Sequence, residues 1–179
     1  MPDSADKTMK NYLLSVLVLI SLVTSVTFAA STPAAEKLQT GSLQTLDGET
    51  VSLADAKGKV VVLAIGASWL PLSKQQIITT NKLAKKYAGR DVVVYWVSTD
   101  SNNPKSKNFA PDEQIRTFVT KNKLTATTLR DSDGQYTLKR FNVDQLPSFV
   151  ILDKTGKSIG EPFAGLDPEN ESEIFQLVS

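Results

Sequence analysis

Two uninterrupted runs of apolar residues stand out along the chain, at 60–65 and 92–97. A strand that is apolar on both faces belongs in the middle of a sheet covered by helices on both sides. Between these runs, residues 70–87 carry apolar side chains at helical spacing. The members of this apolar stripe are Ile77, Leu83, Ala84, Tyr87 and Ala88. Strand, helix and strand of these lengths predict a parallel, right-handed βαβ unit.

The segments on either side of this unit predict an antiparallel hairpin near each end of the domain. Residues 43–53 alternate weakly around the turn signal Asp47-Gly48. Residues 149–152 pair with 158–163 in the second hairpin, and a helix capped by Asp167 follows. The intervening elements are a helix from Asp112, a short strand at 124–129, a turn at 131–134 and a short helix at 136–141. The predicted fold class is therefore α/β, a mixed central sheet flanked by helices with an N-terminal β-hairpin extension.

The first 30 residues follow a different pattern. Lys7 and Lys10 precede a long apolar run at 12–29, and small residues follow it. This order is typical of a signal peptide, but the run is also close to the length of a membrane anchor. Both alternatives remain open, and both predict an exported domain, periplasmic or otherwise extracytoplasmic, with membrane contact only through this segment. Residues 31–41 are predicted to be a linker, and 42–179 the domain.

Composition excludes several kinds of chemistry. The 179 residues include no Cys and no His. Without Cys there is no disulfide, no thiolate nucleophile and no sulfur ligand for a metal. Without His the usual acid–base group at neutral pH and the commonest metal ligand are both missing. We therefore expect no thiol chemistry by this chain alone, no metal and no cofactor.

Charge gives no indication of a nucleic-acid partner. Twenty Lys and Arg residues against 19 Asp and Glu give a net charge of +1, whereas binding phosphates needs a basic surplus on one face. Asp131, Asp133 and Asp153 suggest a cation site at first sight. Their spacing matches no calcium-binding loop, so they are interpreted as turn residues.

A series of short segments, in order and spacing, resembles one family. They are Asp47-Gly48-Glu49-Thr50-Val51-Ser52-Leu53, Lys57-Gly58-Lys59, Ala67-Ser68-Trp69, Val97-Ser98-Thr99-Asp100, Leu129-Arg130-Asp131, Leu146-Pro147-Ser148-Phe149 and Asp153-Lys154-Thr155-Gly156. Together they resemble the membrane-associated thioredoxin-like proteins of the TlpA/ResA type, within the redoxin (AhpC/TSA-related) group. The resemblance covers about residues 41–178 and implies a thioredoxin-like fold.

The resemblance also implies where redox chemistry would have taken place. In that family Ala-Ser-Trp is followed by Cys-Pro-Pro-Cys, whereas here Trp69 is followed by Leu70-Pro71-Leu72-Ser73. Leu70 and Ser73 therefore occupy the positions of the attacking and resolving cysteines. Leucine has no ionisable atom, and serine cannot form a disulfide. The redox site is degenerate, and no catalytic residue is predicted.

The substrate-binding half of the family's site does not need sulfur. Pro147 aligns with a proline that is cis in this fold, and the backbone before it pairs with an extended segment in relatives. The predicted binding residues are Trp69, Leu70, Pro71, Leu72, Ser73, Leu146 and Pro147. They form an exposed apolar platform, a relic sealed by Leu70 and Leu72 turned inward, or a new small-ligand pocket.

These observations lead to three functional hypotheses. The first is a redox-inactive exported protein that binds a protein or peptide partner at this turn, in envelope-protein or cytochrome maturation. The second is a family-type thiol-disulfide oxidoreductase or peroxiredoxin-related enzyme that depends on the thiols of a partner. The third is a structural relic with no specific partner.

Overall fold

The computed structural model describes residues 42–179. The predicted leader at 1–30 and linker at 31–41 lie outside the described residues. Within 42–179, no helix combines the length and the hydrophobicity needed to cross a membrane.

Seven strands and four α-helices make up the described domain. The strands are β1 (Ser42–Thr45), β2 (Thr50–Ser52), β3 (Val60–Gly66), β4 (Val92–Ser98), β5 (Thr127–Arg130), β6 (Ser148–Leu152) and β7 (Phe163–Ala164). The helices are α1 (Ser73–Lys86), α2 (Asp112–Lys121), α3 (Thr137–Arg140) and α4 (Pro168–Leu177). Two short 3-10 helices, Leu53–Ala56 and Ser132–Gly134, complete the set. The predicted hairpins and helices are present in the predicted order.

The strands form one mixed sheet in the order β2-β1-β5-β4-β3-β6-β7. Strands β3, β4 and β5 are parallel, whereas β6 runs antiparallel to β3 and β1 runs antiparallel to β5. The predicted βαβ unit is β3-α1-β4. The sheet places the ends of β3 and β4 at the same edge as the start of β6. The turn after β3 and the loop before β6 therefore meet there.

The two faces of the sheet carry separate apolar cores. Successive residues of β3 point to opposite faces, so Val62 and Ala64 join one core and Val61, Leu63 and Ile65 the other. The first core adds Ile77 and Leu83 from α1, Ile115 and Val119 from α2, and Ile174 from α4. The second is covered by the 3-10 helix at 53–56 and the segment after α3. Burial of β3 from Val61 onward on both faces of the sheet explains its uninterrupted apolar sequence.

Three details of the prediction were wrong. Helix α1 begins at Ser73 rather than near residue 70. Ala88, a member of the predicted stripe, is exposed. The polar residues Gln76 and Thr80, which were not in the stripe, are buried. Strand β5 starts at Thr127 rather than 124. Ile77, Leu83 and Tyr87 of the predicted stripe are buried. The stripe missed Gln76 and Thr80 because these are polar residues whose hydrogen bonds are satisfied inside the protein.

Candidate functional site

The segment 67–72 connects the buried end of β3 to α1 in a series of tight turns. The backbone N–H of Leu70 donates to the carbonyl of Ala67 at 3.2 Å, and that of Ser73 donates to Leu70 at 3.1 Å. The N–H of Gln76 donates to Leu72 at 2.9 Å, which joins the segment to the helix. These bonds fix the path of the backbone before the helix begins.

Exposure divides the predicted binding residues into two groups. Trp69 is 56% exposed and Leu72 is 52% exposed, and Pro71 between them is also exposed. Leu70 and Leu146 are half-buried. Ser73 and Pro147 are buried. The apolar surface of the turn therefore consists of Trp69, Pro71 and Leu72, because Leu72 points outward rather than sealing the turn.

Ser73 has a structural contact. Its side chain is fully buried, and its Oγ accepts a hydrogen bond from the backbone N–H of Ala67 at 3.3 Å. A serine nucleophile needs a neighbouring base, and this chain has no His. In this structure Ser73 closes the turn.

A buried glutamine beneath the turn links three strands, and sequence reasoning missed it. Gln76 Nε2 donates to the carbonyls of Ile65 in β3 at 3.1 Å and Ser148 in β6 at 2.9 Å. Its Oε1 accepts the indole N–H of Trp96 in β4 at 3.1 Å. A buried polar group is stable only when it is hydrogen-bonded. A Gln within an amphipathic helix gives no sequence signal for this position.

The buried carboxylate of Asp100 fixes Ser68 at the start of the turn. Asp100 is fully buried and follows β4. Its Oδ1 accepts from the Ser68 hydroxyl at 2.7 Å, and its Oδ2 accepts from the Ser68 N–H at 2.9 Å and the Ser98 hydroxyl at 2.7 Å. The Val97-Ser98-Thr99-Asp100 segment carried the family resemblance, but its role as the anchor of Ser68 emerges only from the fold.

Glycine is required where β3 meets this network. A Cβ on Gly66 would lie 2.6 Å from Gln76 Oε1 and 2.9 Å from Ser73 Oγ. Both distances are closer than heavy atoms approach without displacement. Helix α1 can therefore pack directly on the end of β3 only because residue 66 has no side chain.

The loop before β6 lies at the same edge of the sheet as the turn, because Ser148 at the start of β6 pairs with Ile65 near the end of β3. The Leu146–Pro147 peptide is cis, and the carbonyl of Pro147 accepts the N–H of Gly165 at 2.9 Å. The backbone N–H and carbonyl of Leu146 make no hydrogen bond within residues 42–179. An unpaired backbone residue at this position is free to pair with an extended segment.

The aspartates considered as cation ligands have other partners. Asp131 accepts from the backbone and hydroxyl of Thr137, and Asp133 accepts from the Ser101 hydroxyl. Asp153 accepts from Thr155 and Lys157 in its own turn, and these hydrogen bonds, that of Thr155 first, lower its pKa. Across the described residues, no three His, Cys, Asp or Glu side chains are grouped to hold a metal.

The model of the AhpC/TSA family matches residues 34–158, which is most of the chain. The chain belongs to the AhpC/TSA family. This membership and the following similarities confirm the resemblance derived from the sequence motifs.

This AhpC/TSA protein is similar to the thioredoxin-like protein YneN of Bacillus subtilis, with 36% identity over 64% of the chain and 62% of YneN. It is 28% identical to the thiol-disulfide oxidoreductase ResA of Bacillus thuringiensis, over 65% of the chain and 61% of ResA. The matches thus span about three fifths of these curated relatives.

A solved structure with the same fold is that of a putative thiol:disulfide interchange protein DsbE from Chlorobium tepidum. Its TM-score is 0.65 at 24% identity, over 76% of this chain and 89% of that one. The thioredoxin-like mixed sheet is therefore confirmed. In the protein described here, Leu70 and Ser73 occupy the two positions at which the resemblance implies cysteines.

Proposed function

We propose that this protein is a redox-inactive member of its family that binds a protein or peptide partner through the former active-site turn and the Pro147 loop. The observation that carries the proposal is the exposure of Trp69 and Leu72, 56% and 52%, on a turn whose backbone is fixed from below. Exposed apolar side chains held on a rigid support are typical of interaction sites.

The proposal has a physical basis: the chain lacks the family's two cysteines but keeps the fold that surrounds them. With no Cys in the chain, it has no thiol of its own with which to reduce a disulfide or a peroxide. Apolar contact and backbone pairing need no sulfur. Leu72 is 52% exposed, so burying the rest of its side chain against a partner would contribute roughly half of the about 1.5–3 kcal/mol of a fully exposed leucine. Tryptophans such as Trp69 often dominate binding energy.

The proposal extends to location and pathway. The residues at 1–30 predict export, and the named relatives YneN and ResA are a thioredoxin-like protein and a thiol-disulfide oxidoreductase. A protein of this family without its cysteines fits a role as a binding or assembly factor in envelope-protein or cytochrome maturation, outside the cytoplasmic membrane.

The test compares two exposed apolar residues in different places. A photo-crosslinking amino acid is placed at Leu72 or at Ile78, which is 48% exposed on α1, in the full chain in its native cells. Discrete adducts from position 72 that disappear when Trp69→Ser is added, with none from position 78, would support the proposal. Equal adducts from both positions, or none from 72, would contradict it.

A second measurement concerns enzymatic activity. Purified protein should neither reduce insulin disulfides nor consume peroxide above the blank. Turnover by the protein alone would show that a non-thiol route exists and that binding is not its whole function.

A further inference from the structure

Within the described domain, the large apolar side chains that are exposed are Trp69, Leu72, Ile78 and Phe109. The first two form the surface of the turn, and Ile78 lies on α1. Phe109, which is 37% exposed, lies in the loop 99–111 between β4 and α2. It belongs to neither of the two apolar cores formed by residues 42–179. Packing into a core therefore does not account for an aromatic side chain at this position.

The loop around Phe109 is held in place by its own hydrogen bonds. The backbone N–H of Ser101 donates to the carbonyl of Asn108 at 3.0 Å, and the N–H of Ala110 donates to the carbonyl of Ser101 at 3.0 Å. The N–H of Phe109 donates to the carbonyl of Ser106 at 3.2 Å. Compact loops whose ends are close together are frequently functional. Phe109 is therefore presented on a fixed backbone, as are the exposed side chains of the turn.

Asp100 joins this loop to the turn. Its carboxylate accepts hydrogen bonds from the Ser68 hydroxyl at 2.7 Å and the Ser68 N–H at 2.9 Å, and Trp69 follows Ser68. On the loop side, Asp100 precedes Ser101, which forms a parallel bridge with Phe109. Consecutive Cα atoms lie about 3.8 Å apart and paired strands about 5 Å apart, so the Cα atoms of Trp69 and Phe109 lie within about 20 Å of each other. The turn and the loop therefore border the same stretch of surface.

Charges of both signs lie along this edge of the sheet. Its exposed charged side chains that have no ion pair within residues 42–179 include Lys74, Lys105, Lys107, Asp133, Asp144 and Asp167. Neither sign dominates, so a strongly charged segment of either sign meets repulsion as well as attraction. An uncharged apolar segment avoids the repulsion and still buries the exposed apolar side chains. The surface therefore fits an apolar segment of low charge.

We propose that the partner makes a second contact at the loop 99–111, through an apolar side chain that packs on Phe109. The same extended, uncharged segment packs on Trp69 and Leu72. This inference rests on the proposed function and specifies its ligand. An extended chain advances about 3.4 Å per residue, so the two apolar groups of the segment lie no more than about six residues apart. The second contact strengthens binding because it forms within a complex that already exists.

The experiment uses three capped, uncharged peptides of equal length. The spaced peptide is Ser-Leu-Leu-Ser-Gly-Ser-Gly-Leu-Leu-Ser, the clustered peptide of the same composition is Ser-Leu-Leu-Leu-Leu-Ser-Gly-Ser-Gly-Ser, and in the single-pair peptide the second Leu-Leu of the spaced peptide is Ser-Ser. Binding to the purified full chain is followed by two-dimensional amide NMR. We expect the spaced peptide to bind about three- to tenfold tighter than the other two. It should shift amide signals of the loop 99–111 as well as those of the turn.

The matched variants are Phe109→Ser and Ile78→Ser, because each removes one exposed apolar side chain. Phe109→Ser should abolish the advantage of the spaced peptide over the single-pair peptide, whereas Ile78→Ser should leave that advantage unchanged. Phe109→Leu keeps an apolar side chain in the loop and should retain most of the advantage. Thermal unfolding shows whether each variant is folded. The amide shifts of the loop in the unmodified protein keep the test decisive if Phe109→Ser fails to fold.

The outcomes separate the second contact from the proposed function. Equal binding of the three peptides, abolished by Leu72→Asp and without shifts in the loop 99–111, overturns the second contact and retains the proposed function. An advantage of the spaced peptide that survives in folded Phe109→Ser also overturns the second contact. Binding of no peptide, or binding that Leu72→Asp leaves unchanged, overturns both proposals.

Discussion

The inner and outer sides of the turn between β3 and α1 are built from different chemistry. The inner side is polar and fully hydrogen-bonded, through Gln76 and Asp100. The outer side is apolar and exposed, through Trp69 and Leu72. The inner side determines where the backbone runs, whereas the outer side contributes little to folding. The residues that fix the turn and the residues of the proposed binding surface are therefore different, and we expect that they can be perturbed separately.

The largest effect on stability should come from Gln76→Leu. The change leaves the indole N–H of Trp96 and the carbonyls of Ile65 and Ser148 without this partner in a buried site, and the free energy of unfolding should fall by about 2–4 kcal/mol. Urea unfolding followed by circular dichroism measures it. Gln75→Leu, one residue earlier and exposed, is the control. If Gln76→Leu and Gln75→Leu lowered the free energy of unfolding equally, the distinction between the inner and outer sides of the turn would be contradicted.

A smaller loss is expected from Asp100→Asn. An amide offers one acceptor oxygen where the carboxylate uses two to accept three hydrogen bonds, so the cost should be about 1–2 kcal/mol. Asp133→Asn is the control, because Asp133 is exposed and Asn tolerates its positive φ of 58°. Unfolding midpoints within error of each other would show that Asp100 does not anchor Ser68.

The contact between α1 and α4 through Glu171 should contribute less to the free energy of unfolding than Gln76 or Asp100 does. Hydrogen bonding to Lys82, with a further bond from Thr79, lowers the pKa of Glu171 below its usual 4.5. A carboxylate with a lowered pKa stabilises the fold above its unfolded pKa, and this contribution is lost as the pH falls through the folded value. Glu171→Gln should therefore cost about 0.2–1 kcal/mol at pH 7, since the pair is partly exposed. The difference in Tm from the parent should shrink progressively as the pH is lowered below 4.5, and a constant difference would contradict the assignment.

The smallest effect on stability belongs to the outer side. Trp69→Ser and Leu72→Ser should each leave the unfolding free energy within about 0.5 kcal/mol, as is usual for exposed positions. Leu70→Ser is the informative comparison. Because Leu70 is half-buried, its replacement should lower the free energy of unfolding by more. A large loss from Leu72→Ser would mean that its side chain supports the turn rather than a partner.

Much of the fold was predictable because its signals are local. The uninterrupted apolar runs of β3 and β4, the Asp47-Gly48 turn and the Asp167-Pro168 helix start each require only neighbouring residues. The start of α1 was less predictable. The turn before it has apolar residues at helical spacing, and hydrogen bonds such as that from Leu70 to Ala67 determine that the regular helix begins only at Ser73.

The candidate site was predictable in place but not in detail. The position of the turn followed from Ala67-Ser68-Trp69 and from Pro147, whose cis peptide the structure contains. Which of its residues face outward was not predictable, since Leu70 and Leu72 are chemically identical. Their different exposure follows from the path of the backbone, which Asp100 and Gln76 fix.

The sequence by itself determined that this protein has no thiol and that two strands lie buried at the centre of a mixed sheet. Those conclusions depend on residue identity and on spacing along the chain. Only the tertiary structure decided that Gln76 lies beneath the turn and that Leu72 lies above it. The partners of Gln76 are 11, 20 and 72 residues away in sequence, and a buried polar group is stable only where folding brings such distant partners together.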